Sequence, residues 1–246
     1  MTSRLIALCI DANDPPLLAR FWATALGWDI GEDVDGLVEL VPTDKTTFRI
    51  EFAPVPEKKS SQNRVHLDLT TTSIDDQHDT VAQLLALGAR HIDIGQSLNE
   101  AHVVLADSEG NEFCIIEPTN KFLSTCERLG AINCQGTQAV GYFWSTALGW
   151  PLVWDQNEET AIREPGGTGP LITWSGPPVA PKLHKNRSHL DIVASDGGDR
   201  TLQFREVDRL VSLGASRIDI GQGNVGWVVM ADPDGNEFCV LGPRPS

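Results

Sequence analysis

Two histidines of this 246-residue chain stand in nearly the same phrase, far apart. Residues 63–68 read Asn-Arg-Val-His-Leu-Asp, and residues 186–191 read Asn-Arg-Ser-His-Leu-Asp. Side chains alternate across a strand, so Arg64, His66 and Asp68 share one face, as do Arg187, His189 and Asp191. A strand histidine can act as a general base, orient a ligand or offer a nitrogen to a metal. An arginine on the same face can hold a carboxylate or phosphate, or pair with a nearby acid. Two cysteines also recur, Cys114 and Cys239, each closing a Gly-Asn-Glu-Phe-Cys run at 110–114 and 235–239. The structural alternative is that the histidines bond to neighbouring backbone and the cysteines serve as small buried hydrophobes. Trp174, Trp227 and His102 have no matching partner residue, and the two tryptophans fall on predicted strands, where they could wall a pocket.

The elements that must position these groups are also repeated. Ala-Leu-Gly-Trp occurs at 25–28 and 147–150, and Ile-Asp-Ile-Gly-Gln at 92–96 and 218–222. A repeat of this length is a domain-sized module in tandem, here residues 1–120 and 127–246, with a linker near Thr119–Cys126. In module 1 the pattern predicts a strand over 5–11, a helix opened by Asn13-Asp14-Pro15 and stopped by Gly27, and two or three strands over 34–53. A strand over 64–70, a helix over 75–87 and a hairpin over 101–117 follow. Module 2 repeats the plan, with helices over 137–148 and 202–213. Val65, Leu67, Leu69, Phe113 and Ile115 are expected to meet the helices, leaving His66 and Cys114 on a polar-dotted concave side. The predicted class is α+β: two tandem βαβββ-type modules with curved mixed sheets, helices on their outer faces, and one or two clefts flanked by the paired sheets.

Composition excludes several functions. The net charge of −15 argues against nucleic acid or an anionic membrane surface as partner. Residues 1–123 hold 20 acids and 9 bases, net −11, and residues 124–246 hold 14 and 10, net −4. No apolar run approaches the ~20 residues that span a bilayer, and no signal peptide is visible. Five cysteines without a Cys-x-x-Cys pair fit a reducing cytoplasm. No phosphate-binding or dinucleotide glycine loop and no serine-nucleophile motif occurs.

With Phe-Trp-x-x-Ala-Leu-Gly-Trp at 21–28 and 143–150, the mid-module histidines and the Asp-x-x-Gly-Asn hairpins, the chain resembles the vicinal oxygen chelate superfamily. That superfamily holds glyoxalase I, extradiol dioxygenases and bleomycin-binding proteins, and the narrower likeness is to its glyoxalase-like group. The resemblance implies a metal held by a first-strand residue, a mid-module histidine and a last-strand glutamate. Those positions fall near Ala7 and Leu129, on His66 and His189, and on Cys114 and Cys239. One ligand in three is kept, and one is swapped for sulfur. Asp68, Glu112, Glu117 or His102 could make up a set in module 1. A Zn, Ni, Mn or Fe ion is therefore a possible cofactor, with none certain.

The expectation is a small-molecule-binding protein, monomeric or homodimeric, without the usual metal site. His66 and His189 would be its chemical groups, with Cys114, Cys239, Trp174, Trp227, His102, Arg64 and Arg187 about the ligand. The alternatives are a divalent-metal-dependent lyase, isomerase or dioxygenase of glyoxalase type, and a non-catalytic interaction protein.

Overall fold

The computed structural model describes residues 2–97, 100–167, 169–195 and 199–243. The first half runs β1 (Ser3–Ala12), α1 (Pro15–Leu26), β2 (Asp29–Val34), β3 (Leu37–Val41), β4 (Arg49–Pro54), β5 (Val65–Leu69), α2 (Ile74–Ala86), β6 (Arg90–His91), β7 (Val103–Ala106) and β8 (Glu112–Ile115). The second half runs β9 (Leu129–Cys134), α3 (Gln138–Leu148), β10 (Leu152–Gln156), β11 (Glu159–Ile162), β12 (Leu171–Trp174), β13 (Ser188–Ala194), α4 (Arg200–Ser212), β14 (Ser216–Arg217), β15 (Val228–Ala231) and β16 (Glu237–Val240). No helix among the described residues is long and apolar enough to cross a membrane.

Local chemistry accounts for the helix ends. The Asp14 side chain accepts from the Leu17 amide at 3.0 Å, Pro15 and Pro16 fill the first turn of α1, and Gly27 ends it at φ 71°. The buried face of α1 carries Leu18, Phe21, Trp22, Ala25 and Leu26. Trp22 Nε1 donates to Asp107 in the β7–β8 hairpin at 3.1 Å, and the same carboxylate accepts from the amides of Glu109 and Asn111 at 2.9 Å. Trp144 and Asp232 repeat this lock in the second copy. The repeated Phe-Trp and Asp-x-x-Gly-Asn motifs are thus two ends of one buried contact.

The sheets do not follow the modules. One eight-stranded sheet has the order β14-β15-β16-β13-β1-β4-β3-β2, and the other β10-β11-β12-β9-β5-β8-β7-β6. Each joins the first four strands of one copy to the last four of the other. The seams are antiparallel: Cys9 lies opposite His189 where β1 meets β13, and His66 opposite Asn133 where β5 meets β9. The expectation that whole module sheets flank a cleft is corrected accordingly, because each concave face is built within one sheet from half of each module. Both copies present the same alternation, so the pattern cannot say which copy supplies a strand's neighbour. The register also makes Ala131, facing Asp68 as Ala7 faces Asp191, the counterpart of Ala7 in place of Leu129.

The face alternation holds. Leu67, Leu69, Phe113 and Ile115 enter the main core beneath the helices, while Cys114 and Ile116 belong to a separate apolar cluster on the opposite face. In the β5–β9 sheet that cluster is completed by the linker: Leu123, 3% exposed, sits among Val104, Cys114, Ala131, Ala161 and Leu171. Phe122 packs edge-on against Trp154 with ring centroids 5.5 Å apart. Arg163 ties the segment down, donating from Nη1 to Thr125 Oγ1 at 2.9 Å and from Nη2 to Cys126 Sγ at 2.5 Å. The concave face of this sheet is therefore occupied by the chain itself.

Two outcomes follow from the seams and the linker. A fragment of residues 1–123 would leave the β1 and β5 edges unpaired, so it should dimerise or precipitate; a folded monomer on gel filtration would contradict the dependence of each sheet on both copies. Leu123→Ala should destabilise the protein by about 2–5 kcal/mol, and denaturant unfolding measures the loss.

Candidate functional site

The other sheet keeps its concave face open. A cleft of about 590 Å³ lies over β1, β4, β13, β15 and β16. Its floor comes from two neighbouring rows of the sheet. Glu51, Cys9 and His189 lie abreast on β4, β1 and β13. One step along are Arg49, Ala7, Asp191 and Cys239, the last on β16. Register matches these positions to the filled face, where Leu171 replaces Arg49, Thr173 replaces Glu51, Asn133 replaces Cys9 and Ala161 replaces Glu39. An apolar segment covers the apolar set, whereas covering the charged set would desolvate its charges. The linker joins β8 to β9, both strands of the filled sheet, and the substitutions give that face the apolar character its cover requires.

The floor is electrostatically dense. Arg49 Nη2 lies 2.5 Å from Glu51 Oε1, and Arg49 Nε 3.1 Å from Glu39. Burial pushes the Glu51 carboxyl above its usual range, with Arg49 pulling part of the way back. Burial, then the carboxylates of Asp191 and Glu51, raises the Cys9 thiol, and burial with Asp191 raises Cys239. Unless a metal cation binds them, both thiols are held towards the protonated form, which disfavours them as nucleophiles. His189 Nε2 lies 3.3 Å from Asp191 Oδ1. Asp191 Oδ1 and His189 Nδ1 are buried without a hydrogen-bond partner.

The closed cleft holds the matching group. His66 Nε2 is 3.3 Å from Asp68 Oδ1, and Asn133 donates to Asp68 Oδ2 at 3.2 Å. Burial lowers the His66 pKa, but Asp68 more than offsets it, so the net shift is upward. Cys114, beside Asp68, packs with Leu123 of the linker.

Both sheets bring possible metal donors together. Donor atoms of Cys9, His189 and Asp191 lie within 4.8 Å of one another, as do those of His66, Asp68 and Cys114. A nitrogen, sulfur and oxygen set suits a borderline ion such as zinc. Asp68 Oδ1 and Asp191 Oδ1 are alike in lacking a hydrogen bond, and the set in the open cleft is the more accessible because no linker overlies it. His66, proposed from the sequence as a ligand and chemical group, joins Asp68 and Cys114 in a donor group on the face that the linker fills.

The remaining sequence candidates divide. Trp227, 43% exposed, lines the open cleft with Val34, Leu37, Val229 and Leu241. Trp174 does not join it: alternation along β12 turns it with Ile172 into the main core, where it is 1% exposed. His102, in the bend before β7, pairs with Glu100 at 3.1 Å and belongs to neither donor group. Arg187 is bound by Glu109 and by the carbonyls of Glu57 and Asp11. Arg64 is buried, and its Nε and Nη2 find no partner among the described residues. Sequence reasoning passed over Cys9 and Glu51; strand alternation from Ala7 places Cys9 on the same face, which was the available signal.

The glyoxalase-like domain family matches residues 7–116 and 130–241. A comparison with curated proteins finds no match. Among solved structures, glyoxalase I from Zea mays is similar over 98% of this chain and 92% of its own, at 14% identity and a TM-score of 0.65. A mutant form of the same maize enzyme covers 98% and 94% at 13% identity and 0.66. A dioxygenase candidate from Bacillus subtilis subsp. subtilis str. 168 covers 99% and 86% at 14% identity and 0.60. At these identities the likeness is one of fold. With two copies of its domain covering most of the sequence, the chain belongs to the glyoxalase-like family.

Proposed function

We propose that the protein binds one small organic molecule in the cleft over β1, β4 and β13. The observation that carries this reading is the contrast between the faces: one is filled by Leu123 and Phe122, and its counterpart is an open cleft of about 590 Å³. That size lies within the roughly 300–1,000 Å³ of small-molecule sites, and the cleft sets apolar walls over a charged floor. Val34, Leu37, Trp227, Val229 and Leu241 would take the apolar body. Asp191 Oδ1, which faces His189 Nε2 at 3.3 Å without accepting a hydrogen bond from it, would accept one from a ligand hydroxyl or amine. His189, held beside it, would orient the same polar group or move a proton from it.

A metabolite panel screened by melting temperature and tryptophan emission tests this. A ligand that shifts both should lose its emission response in Trp227→Phe. Its affinity should fall about 10- to 100-fold in Asp191→Ala, and binding should vanish in Ala53→Trp, which narrows the cleft. Binding that survives Ala53→Trp would locate the ligand elsewhere.

The convergence of Cys9, His189 and Asp191 favours a second reading, a zinc-dependent lyase, isomerase or dioxygenase of glyoxalase type. These residues would hold the ion, which when bound supplies Lewis-acid polarisation of a ligand oxygen. Elemental analysis of purified protein, and zinc titration of the metal-stripped form, should then give one ion per chain, lost in Cys9→Ser and in His189→Ala. An ion lost only in His66→Ala would belong to the closed face.

A further inference from the structure

A second concavity, of about 700 Å³, lies between the loops that precede β5 and β13. Its charge opposes that of the chain. Lys58, Lys59, Arg64, Lys182, Lys185 and Arg187 line it against the carboxylates of Asp11 and Glu57, in a protein of net charge −15. Four of these cations are already paired: Lys59 with Glu112 at 2.6 Å, Lys182 with Glu237 at 2.5 Å, Lys185 with Asp11 at 2.5 Å and Arg187 with Glu109 at 2.9 Å. Arg64 has no ion pair among the described residues, although it is 8% exposed.

The repeat explains the vacancy. Arg187 and Arg64 hold equivalent places, and their carbonyls accept from the equivalent amides of Asp11 and Gln135, each at 2.7 Å. Glu109 is long enough to receive the Asn13 and Asp14 amides at 2.8 Å while also binding Arg187. Its counterpart, Asp234, is one methylene shorter. It accepts from the Thr137 amide at 2.6 Å and from Thr137 Oγ1 at 3.2 Å. Among the described residues no carboxylate pairs with Arg64. A buried, unpaired guanidinium is costly, and a compact oxyanion offers the geometry that its fork binds best.

We propose that this groove is an oxyanion-binding site, with Arg64 as its central ligand and Lys58 at its rim, for a small molecule bearing a phosphate or a carboxylate. The site is distinct from the cleft, although the two share Asp11, Lys185, Ile220 and Gln222 as a common wall. A ligand with an anionic end in the groove could extend over that wall.

Inorganic phosphate and malonate serve as probes, followed by melting temperature and calorimetry at low salt. Either oxyanion should raise the melting temperature of the wild type, and the tighter of the two identifies the headgroup. Arg64→Met should lose about tenfold or more in affinity and, without added anion, should melt no lower than wild type, because a buried unpaired charge has been removed. Lys58→Glu, an exposed change, should weaken binding several-fold and leave folding intact. Ala53→Trp should bind phosphate or malonate as wild type does, which separates this site from the cleft. The proposal is overturned if neither anion shifts the wild type, or if Arg64→Met and Lys58→Glu respond as wild type does.

Discussion

The antiparallel seam between β1 and β13, with its twin between β5 and β9, is the contact on which the rest of this molecule depends. Neither copy completes a sheet by itself, because β1 and β5 each carry an edge that only the other copy satisfies. The seam also builds the floor of the cleft. Cys9 comes from one copy and His189 and Asp191 from the other, and register alone sets them side by side. A site shared between tandem modules is a direct consequence of strand exchange.

The buried tryptophan–aspartate locks hold this arrangement in both copies. Asp107 and Asp232 each receive an indole N–H and the amides of their own hairpins. Burial raises both carboxyls, while these donors pull the other way. Such a satisfied polar group specifies one geometry for the helix against the hairpin. Asn63 and Asn186 extend each lock by bonding the hairpin residues Asn111 and Asn236, which brings the loop before the histidine strand into place. Much of what is repeated is therefore this scaffold.

The two concave faces differ where the copies differ. Replacing Arg49, Glu51 and Glu39 by Leu171, Thr173 and Ala161 turns a charged floor into an apolar one, which the linker covers. Replacing Glu109 by Asp234 frees one buried arginine of two. In each case matched positions of one scaffold differ in charge, polarity or length, and the two faces differ with them.

The sequence by itself determined the modules, the helix boundaries to within a few residues, the hairpins before the last strands and the faces of the histidine strands and last strands, because these follow from short-range periodicity and capping. His66 with Asp68 and Cys114 could be read onto one concave face from alternation alone. The tertiary structure decided which strands are neighbours, that Trp174 turns inward while Trp227 lines the cleft, and that one cleft is filled. It also brought Cys9 and Glu51 to His189 and left Arg64 without a carboxylate. These are outcomes of long-range pairing, across 67 residues (His66 to Asn133) at one seam and 180 (Cys9 to His189) at the other, and two copies with one hydrophobic pattern leave that pairing undetermined until the chain has folded.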